Sequence, residues 1–138
     1  MIVIDASVWI SFLIQQDANH AATRPWLTQI LRDKVPLAAP ILLLAEVGGA
    51  VSRRLENPDM GEKAVERLLS VPTLHLVGMD HALGMRTSQI AARYRLRGAD
   101  ACYVAVAAQL GVPLVSWDKE HMERTHGFIT AYAPLMGK

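Results

Sequence analysis

The 138-residue sequence lacks several features that would assign it to a large class of proteins. Its one cysteine, Cys102, permits no internal disulfide, which suits a reducing compartment and predicts a cytoplasmic protein. No apolar run approaches the roughly 20 residues that cross a bilayer. The first residues lack a basic segment and carry Asp5 inside their hydrophobic stretch, so we expect neither a membrane span nor a signal peptide. Repeats and low-complexity stretches are also missing.

Histidine patterns that indicate zinc are likewise missing. None of the five histidines has the spacing His-Glu-x-x-His, which disfavours a zinc enzyme. His121 is close to Asp118 in the chain, and we interpret it as a surface residue, with a contact to substrate as the alternative. Cys102 and Tyr103 are expected to lie in the core, where a small thiol and an aromatic ring pack well. For Tyr103 the alternative is stacking on a base.

Short apolar runs that alternate with longer helical patterns predict an α/β fold. Strands are predicted at residues 2–5, 37–39, 73–77, 112–116 and 127–132. Helices are predicted at residues 7–15, 19–33, 40–54, 61–69, 80–95 and 100–110. Strands of this kind form a parallel sheet that helices cover on both faces. The length fits a single domain.

Particular residues mark the predicted helix ends. Ser7 and Asp80 are expected to cap the N-termini of their helices, and Pro40 suits a first helical turn. Pro25 should begin or kink the second helix, and Gly98 should end the helix that starts at residue 80.

Four carboxylates lie beside these core elements. Glu46 interrupts a stretch from residue 37 to residue 51 that is otherwise apolar, and Asp5 ends the run Ile2-Val3-Ile4. Asp100 opens an alanine-rich helix, and Asp118 follows a predicted strand. Acids are almost never buried unless they are paired or bind a metal. Asp5 and Asp118 should share the carboxyl edge of the sheet, where parallel sheets bind ligands.

Oxygen ligands predict a hard cation, Mg²⁺ or Mn²⁺. Such ions activate water and stabilise the leaving oxygen of a phosphodiester. Each acid has an ordinary role when taken alone: Asp100 as a helix cap, Asp118 as a loop acid and Asp5 as a turn residue. Glu46 has the fewest such roles. The placement of all four acids beside core elements favours a shared metal site.

A run of arginines without any acid lies between Asp80 and Asp100. It consists of Arg86, Arg93, Arg95 and Arg97. A basic approach to a metal site favours nucleic acid as the ligand. An ordinary solvated helix face explains the same run equally well.

Several segments together resemble the PIN-domain ribonucleases, and most closely the toxins of the VapC type from prokaryotic toxin–antitoxin pairs. The most specific segment is Arg-Gly-Ala-Asp-Ala at residues 97–101, followed by Tyr-Val-Ala at 103–105. The start of the chain at residues 2–7, residues 40–46, and Leu-Val-Ser-Trp-Asp at 114–118 carry the rest of the resemblance, which covers nearly the whole chain.

The resemblance implies a three-layer α/β/α PIN-like domain over residues 1–138 with a central, mostly parallel sheet. It implies a divalent-metal endoribonuclease, with Mg²⁺ or Mn²⁺ bound by Asp5, Glu46, Asp100 and Asp118. Ser7 and Ser116 match positions where the family often has a hydroxyl beside the acids. Whether Glu120 is a further ligand or simply solvated stays open.

The resemblance also implies partners: an RNA substrate, a cognate antitoxin whose tail occupies the active-site groove, and a second copy of the chain in a homodimer. The hydrophobic content of 51% and the mean hydropathy of +0.20 agree with a partner that covers apolar surface.

Two other functions compete with this one. A PIN-fold module that binds RNA or a partner without catalysis would keep the fold, although all four acids are present. A phosphatase of the haloacid-dehalogenase type also begins with a strand that ends in aspartate. That family needs Asp-x-Asp, and the sequence has Ser7 at the second position, which leaves no general acid.

Overall fold

The computed structural model describes residues 1–136 as five strands and seven helices. In chain order they are β1 (Ile2–Ile4), α1 (Ala6–Leu13), α2 (His20–Arg32), β2 (Leu37–Pro40), α3 (Leu42–Leu55), α4 (Pro58–Leu69), β3 (Leu74–Val77), α5 (His81–Tyr94), α6 (Gly98–Leu110), β4 (Leu114–Val115), α7 (Lys119–Arg124) and β5 (Ala131–Tyr132).

The sheet has the strand order β3-β2-β1-β4-β5, and every pairing in it is parallel. Strands β1, β2 and β4 are fully buried, as expected for apolar strands covered on both faces. Helix α6 packs against β1, β2 and β4, and α5 packs on α6. Helices α1 to α4 form a second group, in which α1 packs against α2 and α3, and α3 packs against α4. The predicted α/β/α class with a parallel sheet is therefore confirmed.

Helix α6 is buried from Ala101 to Ala107 without interruption, which is typical of a helix enclosed on all sides. Cys102 and Tyr103 are part of this buried segment, as predicted. Burial raises the pKa of the Cys102 thiol to about 11, so the thiol stays protonated at neutral pH.

Helices α3 and α4 cross at two glycines. A Cβ atom at Gly61 would lie 2.6 Å from the carbonyl oxygen of Gly48, so any larger residue would push the helices apart. This close packing fixes α3, the helix that carries Glu46.

Several predicted helix ends were wrong. The chain stays extended through Pro40, because the Ile41 N–H continues the strand pairing by donating to the Val77 carbonyl at 2.8 Å. Asp5, not Ser7, is the N-cap of α1, and its side chain makes no capping bond. Helix α5 ends at Tyr94, because Arg95 adopts a left-handed conformation, and Gly98 instead begins α6.

Other local predictions have mixed outcomes. Asp80 caps α5 by accepting a hydrogen bond from the Leu83 N–H at 2.8 Å, as predicted. Helix α2 runs through Pro25 and does not begin there. Helix α7 was missed altogether, and the last strand is shorter than predicted. None of the helices within residues 1–136 has the length and hydrophobicity needed to cross a membrane.

Candidate metal centre at the carboxyl edge of the sheet

Asp5 and Asp118 lie at the same edge of the sheet. Strands β1 and β4 are parallel neighbours, with Ile4 paired to Val115. Asp5 directly follows β1, and its N–H donates to the Val115 carbonyl at 3.0 Å. Asp118 follows β4 by three residues and caps α7. The common edge that we predicted for these two acids results from the parallel pairing of adjacent strands.

Asp5 is held by two hydroxyl groups. Its Oδ2 atom accepts hydrogen bonds from Ser116 Oγ at 2.6 Å and from Ser7 Oγ at 3.0 Å. Asp5 is only 5% exposed. Burial raises the pKa of the Asp5 carboxyl above its ordinary value, although both hydroxyls and the nearby His121 act in the opposite direction.

The same two serines fix the start of the next segment. Ser116 Oγ accepts from the Asp118 N–H at 3.0 Å, and Ser7 Oγ accepts from the Trp117 N–H at 3.1 Å. Each hydroxyl therefore joins the carboxylate that follows β1 to the backbone that follows β4. The hydroxyl positions singled out in the sequence set the geometry of this edge.

Glu46 reaches the site from α3 and is bound by a residue of α6. Tyr103 donates its hydroxyl proton to Glu46 Oε1 at 2.6 Å. Partial burial raises the pKa of Glu46, and the negative charges of Asp5 and Asp100 raise it further, whereas the bond from Tyr103 lowers it. Glu46 is half-buried at the rim of the core, where the charges of two other acids reach it.

Asp100, Asp118 and His121 form the tightest group. One ligand atom of each, two carboxylate oxygens and an imidazole nitrogen, lie within 4.8 Å of one another. The prediction that His121 is a surface residue was wrong, since it is only 2% exposed. It became buried because helix α7, which the sequence did not reveal, turns its side chain inward.

The side chains of these three residues line a hollow of about 200 Å³. Its other lining residues are Leu96, Arg97, Glu120 and Arg124. Glu120 is exposed and forms an ion pair with Arg124. Arg97 Nε lies 3.4 Å from Asp100 Oδ2 at the mouth of the hollow. Two arginines thus border a pocket whose centre is acidic.

The four arginines of the predicted basic run do not gather at one place. Arg97 lies beside Asp100, whereas Arg86 and Arg93 line a separate hollow together with Gln89, Ile90, Tyr94 and Phe128. The rings of Tyr94 and Phe128 stack there with centroids 5.0 Å apart. Arg95 is exposed, and its carbonyl accepts a hydrogen bond from Arg124. All four arginine side chains face solvent.

Sequence reasoning missed two parts of the site. Tyr103 was expected to pack in the core, yet its hydroxyl also donates to Glu46. The signal was that a partly buried acid needs a hydrogen-bond donor. His121 could have been found from Asp118 three residues earlier, because residues three apart share a helix face.

The donor set fits a divalent cation. Burial raises the pKa of Asp5 and of Glu46, and the charges of neighbouring carboxylates raise both further, a repulsion that a bound cation relieves. Carboxylate oxygens are ligands of Mg²⁺ and Mn²⁺, and imidazole is a ligand of transition metals. Asp100, Asp118 and His121 offer ligand atoms within 4.8 Å of one another, whereas Asp5 and Glu46 fall outside that group.

The acids lie at the carboxyl edge of a parallel sheet, which is where α/β folds of this class bind their ligands. The family model of the PIN domain matches residues 2–127. The chain belongs to the PIN-domain family.

Solved structures of low sequence identity share its fold. VapC20 from Mycobacterium tuberculosis, a toxin that cleaves the sarcin–ricin loop, is 19% identical with a TM-score of 0.76, over 94% of this chain and 97% of that one. VapBC2 from Rickettsia felis, bound to a DNA fragment of its promoter, is 12% identical with a TM-score of 0.72, over 96% and 98%. FitAcB from Neisseria gonorrhoeae is 21% identical with a TM-score of 0.70, over 97% and 98%. At these identities the likeness establishes the fold alone. No curated protein sequence matches the chain.

Proposed function

We propose that the protein is a metal-dependent endoribonuclease that hydrolyses RNA phosphodiester bonds. The observation that carries the proposal is the convergence of acids from four segments on one edge of the sheet. The charges of Asp5 and Asp100 act on Glu46, and Asp100 lies within 4.8 Å of Asp118. Carboxylates this close to one another repel, and a bound cation offsets that repulsion.

Asp5, Glu46, Asp100 and Asp118 are the proposed ligands of Mg²⁺ or Mn²⁺. When bound, such an ion activates water and stabilises charge on the phosphate oxygens and the leaving oxygen. The protein's own groups fix the ligands: Ser7 and Ser116 orient Asp5, and Tyr103 orients Glu46. The roles of Ser7 and Ser116 are therefore to position a ligand. Glu120, ion-paired with Arg124, stays a candidate for an outer ligand.

The proposed substrate is RNA because arginines border the acidic hollow and continue along α5. Arg97 and Arg124 lie at the hollow itself, and Arg86 and Arg93 extend the basic surface. Arg95 is exposed between these two places. Exposed arginines are suited to phosphate contacts, since a guanidinium binds phosphate oxygens in pairs.

We further propose that the protein acts in the cytoplasm as the toxin of a type II toxin–antitoxin pair. In this proposal it binds a cognate antitoxin and forms a homodimer. The structural neighbours from Rickettsia felis and Salmonella typhimurium are VapBC complexes. Apolar side chains that remain exposed near the start of α3 and α5 fit a protein interface. These are Ile41, Leu42, Met79 and Met85.

The test is cleavage of structured RNA with Mg²⁺ or Mn²⁺ by the wild-type protein and by Asp100→Asn. We expect the variant's rate to fall roughly a thousandfold, the scale of losing several kcal/mol of charge stabilisation. Asp33→Asn, a change of the same chemistry at the exposed end of α2, serves as the control and should cut at the wild-type rate. Equal cleavage by Asp100→Asn would refute the assignment of the site.

The non-catalytic alternative predicts a different pattern. A PIN-fold module that only binds RNA or a partner would leave RNA intact with every metal, and a vestigial site would show no Mn²⁺ binding at millimolar concentrations. Titration of Mn²⁺ into the wild-type protein, run beside the cleavage assay, separates this function from the nuclease.

A further inference from the structure

His121 is the residue of the site whose bonding is least complete. It is 2% exposed, and neither Nδ1 nor Nε2 has a hydrogen-bond partner among residues 1–136. Buried polar nitrogens are nearly always bonded, so an unpaired imidazole beside carboxylates calls for a specific explanation.

The distances around His121 have the size of a metal site. One ring nitrogen lies within 4.8 Å of a carboxylate oxygen of Asp100 and of one of Asp118, yet it forms no hydrogen bond to either. Two ligands on opposite sides of a small dication are separated by about 4.2 Å, twice a typical metal–oxygen distance. The three atoms thus surround a gap that one ion can fill.

The backbone holds His121 and Asp118 in a fixed relation. Asp118 Oδ1 accepts from the His121 N–H at 3.0 Å, and the His121 carbonyl accepts from Thr125 Oγ1 at 3.0 Å. Thr125 is itself fully buried. Because Asp118 and His121 are three residues apart at the start of α7, both side chains point to the same side. Asp100 comes from a separate helix, α6.

We propose that Asp100, Asp118 and His121 form a mixed oxygen–nitrogen site that selects a first-row transition dication such as Mn²⁺ over Mg²⁺. The imidazole of His121 adds a nitrogen ligand to the carboxylate oxygens of Asp100 and Asp118. Imidazole nitrogen is a good ligand for transition metals, whereas Mg²⁺ prefers oxygen and keeps its waters. The inference rests on the proposed function only in taking this pocket as a cation site.

The experiment measures metal binding without RNA. Isothermal titration of wild-type protein with MnCl₂ and with MgCl₂ gives the two affinities, and electron spin echo spectroscopy of the Mn²⁺-loaded protein detects a coordinated ¹⁴N nucleus. We expect the ¹⁴N modulation in the wild type and a clear preference for Mn²⁺. His121→Asn, which offers an oxygen in place of nitrogen, should abolish the modulation and weaken Mn²⁺ by at least about tenfold, with little change for Mg²⁺.

Two further variants make the result decisive. His126→Asn carries the same change at an exposed position and should keep wild-type Mn²⁺ affinity and the ¹⁴N modulation. His121→Gln is a second replacement in case His121→Asn does not fold, as judged by circular dichroism. Wild-type Mn²⁺ binding without ¹⁴N modulation, or equal Mn²⁺ affinity in the His121 variants, would overturn the inference.

The inference and the proposed function fail in different ways. If Mn²⁺ binds through oxygen alone and RNA is still cleaved, His121 is not a ligand while the nuclease assignment stands. If neither ion binds the wild-type protein and RNA stays intact, the cation site is refuted together with the nuclease.

Discussion

Two regions of the molecule carry opposite charge and are built in opposite ways. The carboxylate pocket consists of Asp5, Glu46, Asp100, Asp118 and His121, which come from four segments spread over more than 110 residues of the chain. The arginine hollow consists of Arg86, Gln89, Ile90, Arg93, Tyr94 and Phe128, and all but the last belong to one helix.

The two regions differ most in how their side chains are held. Asp5 accepts two hydroxyl bonds, and Glu46 accepts a third. Arg86 and Arg93 are exposed, and neither side chain forms a hydrogen bond or ion pair within residues 1–136. A site that must position a cation needs fixed ligands, because ångström-scale errors are costly for catalysis. A surface that contacts a flexible anionic chain gains little from such rigidity.

The largest effect on stability should come from removing the hydroxyl that joins the two strand ends. Ser116→Ala takes away the donor to Asp5 and the acceptor of the Asp118 N–H, and the site is fully buried. We expect a loss of about 1–3 kcal/mol in the free energy of unfolding, measured by urea denaturation at pH 7 with EDTA present.

Ser7→Ala is the matched comparison, since Ser7 donates to the same oxygen over a longer distance and is half-buried. It should cost less than Ser116→Ala. If both variants are as stable as the wild type, the hydroxyl network does not hold the pocket together, and the contrast in rigidity between the two regions is lost.

A smaller effect of opposite sign is expected at Glu46. Burial and the charges of Asp5 and Asp100 raise its pKa above the ordinary value of 4.5. A raised pKa means that its contribution to stability is fully present below pH 4.5 and is lost as the pH rises through the folded-state value. At neutral pH and without metal, the charge therefore destabilises the fold.

Glu46→Gln should then stabilise the metal-free protein at pH 7.5 by on the order of 0.5 kcal/mol, a modest figure because the side chain is partly exposed and screened by solvent. The amide oxygen that replaces the carboxylate can still accept the bond from Tyr103. The gain should shrink toward zero as the pH approaches 4.5, as measured by thermal unfolding with EDTA. Glu62→Gln, at an exposed position of α4, should show no such trend.

Adding Mn²⁺ sharpens this prediction. A cation that binds only the folded state stabilises it by RT ln(1 + [L]/Kd), so the tighter-binding wild type should gain more than Glu46→Gln and the order of stability should reverse. A variant that is less stable than the wild type without metal would assign Glu46 a structural role in place of a ligand role.

The sequence predicted more of the carboxylate pocket than its scattered origin would suggest. Asp5 and Asp118 could be brought together because each follows an apolar run, and parallel strands end at one edge. Glu46 stood out because an acid inside an apolar helix needs a partner. The prediction failed at one short helix. Because α7 has six residues and no apolar periodicity, the sequence indicated neither the helix nor the burial of His121.

The arginine hollow shows the reverse. Its members are close in sequence, so the run was easy to find, but the sequence did not show where each side chain points. The helix ends at Tyr94 because Arg95 adopts a left-handed conformation, and this turn separates Arg97 from Arg93. Phe128, which stacks on Tyr94, comes from the loop before the last strand, and such a long-range contact has no local signal.

The smallest expected effect concerns the salt dependence of RNA binding. It decides whether RNA contacts the arginine hollow as well as the carboxylate pocket. Arg93→Ala should weaken the binding of single-stranded RNA and reduce the slope of log K against log salt by about 0.7, the value for one phosphate contact on a single strand. Fluorescence anisotropy at several salt concentrations in EDTA measures the slope without cleavage. Arg32→Ala, at the exposed end of α2, removes the same charge elsewhere and should leave the slope unchanged. Equal slopes for Arg93→Ala and the wild type would place the hollow outside the RNA path. Equal losses from Arg93→Ala and Arg32→Ala would instead mean that RNA responds to overall charge, in which case the arginine hollow is not a site.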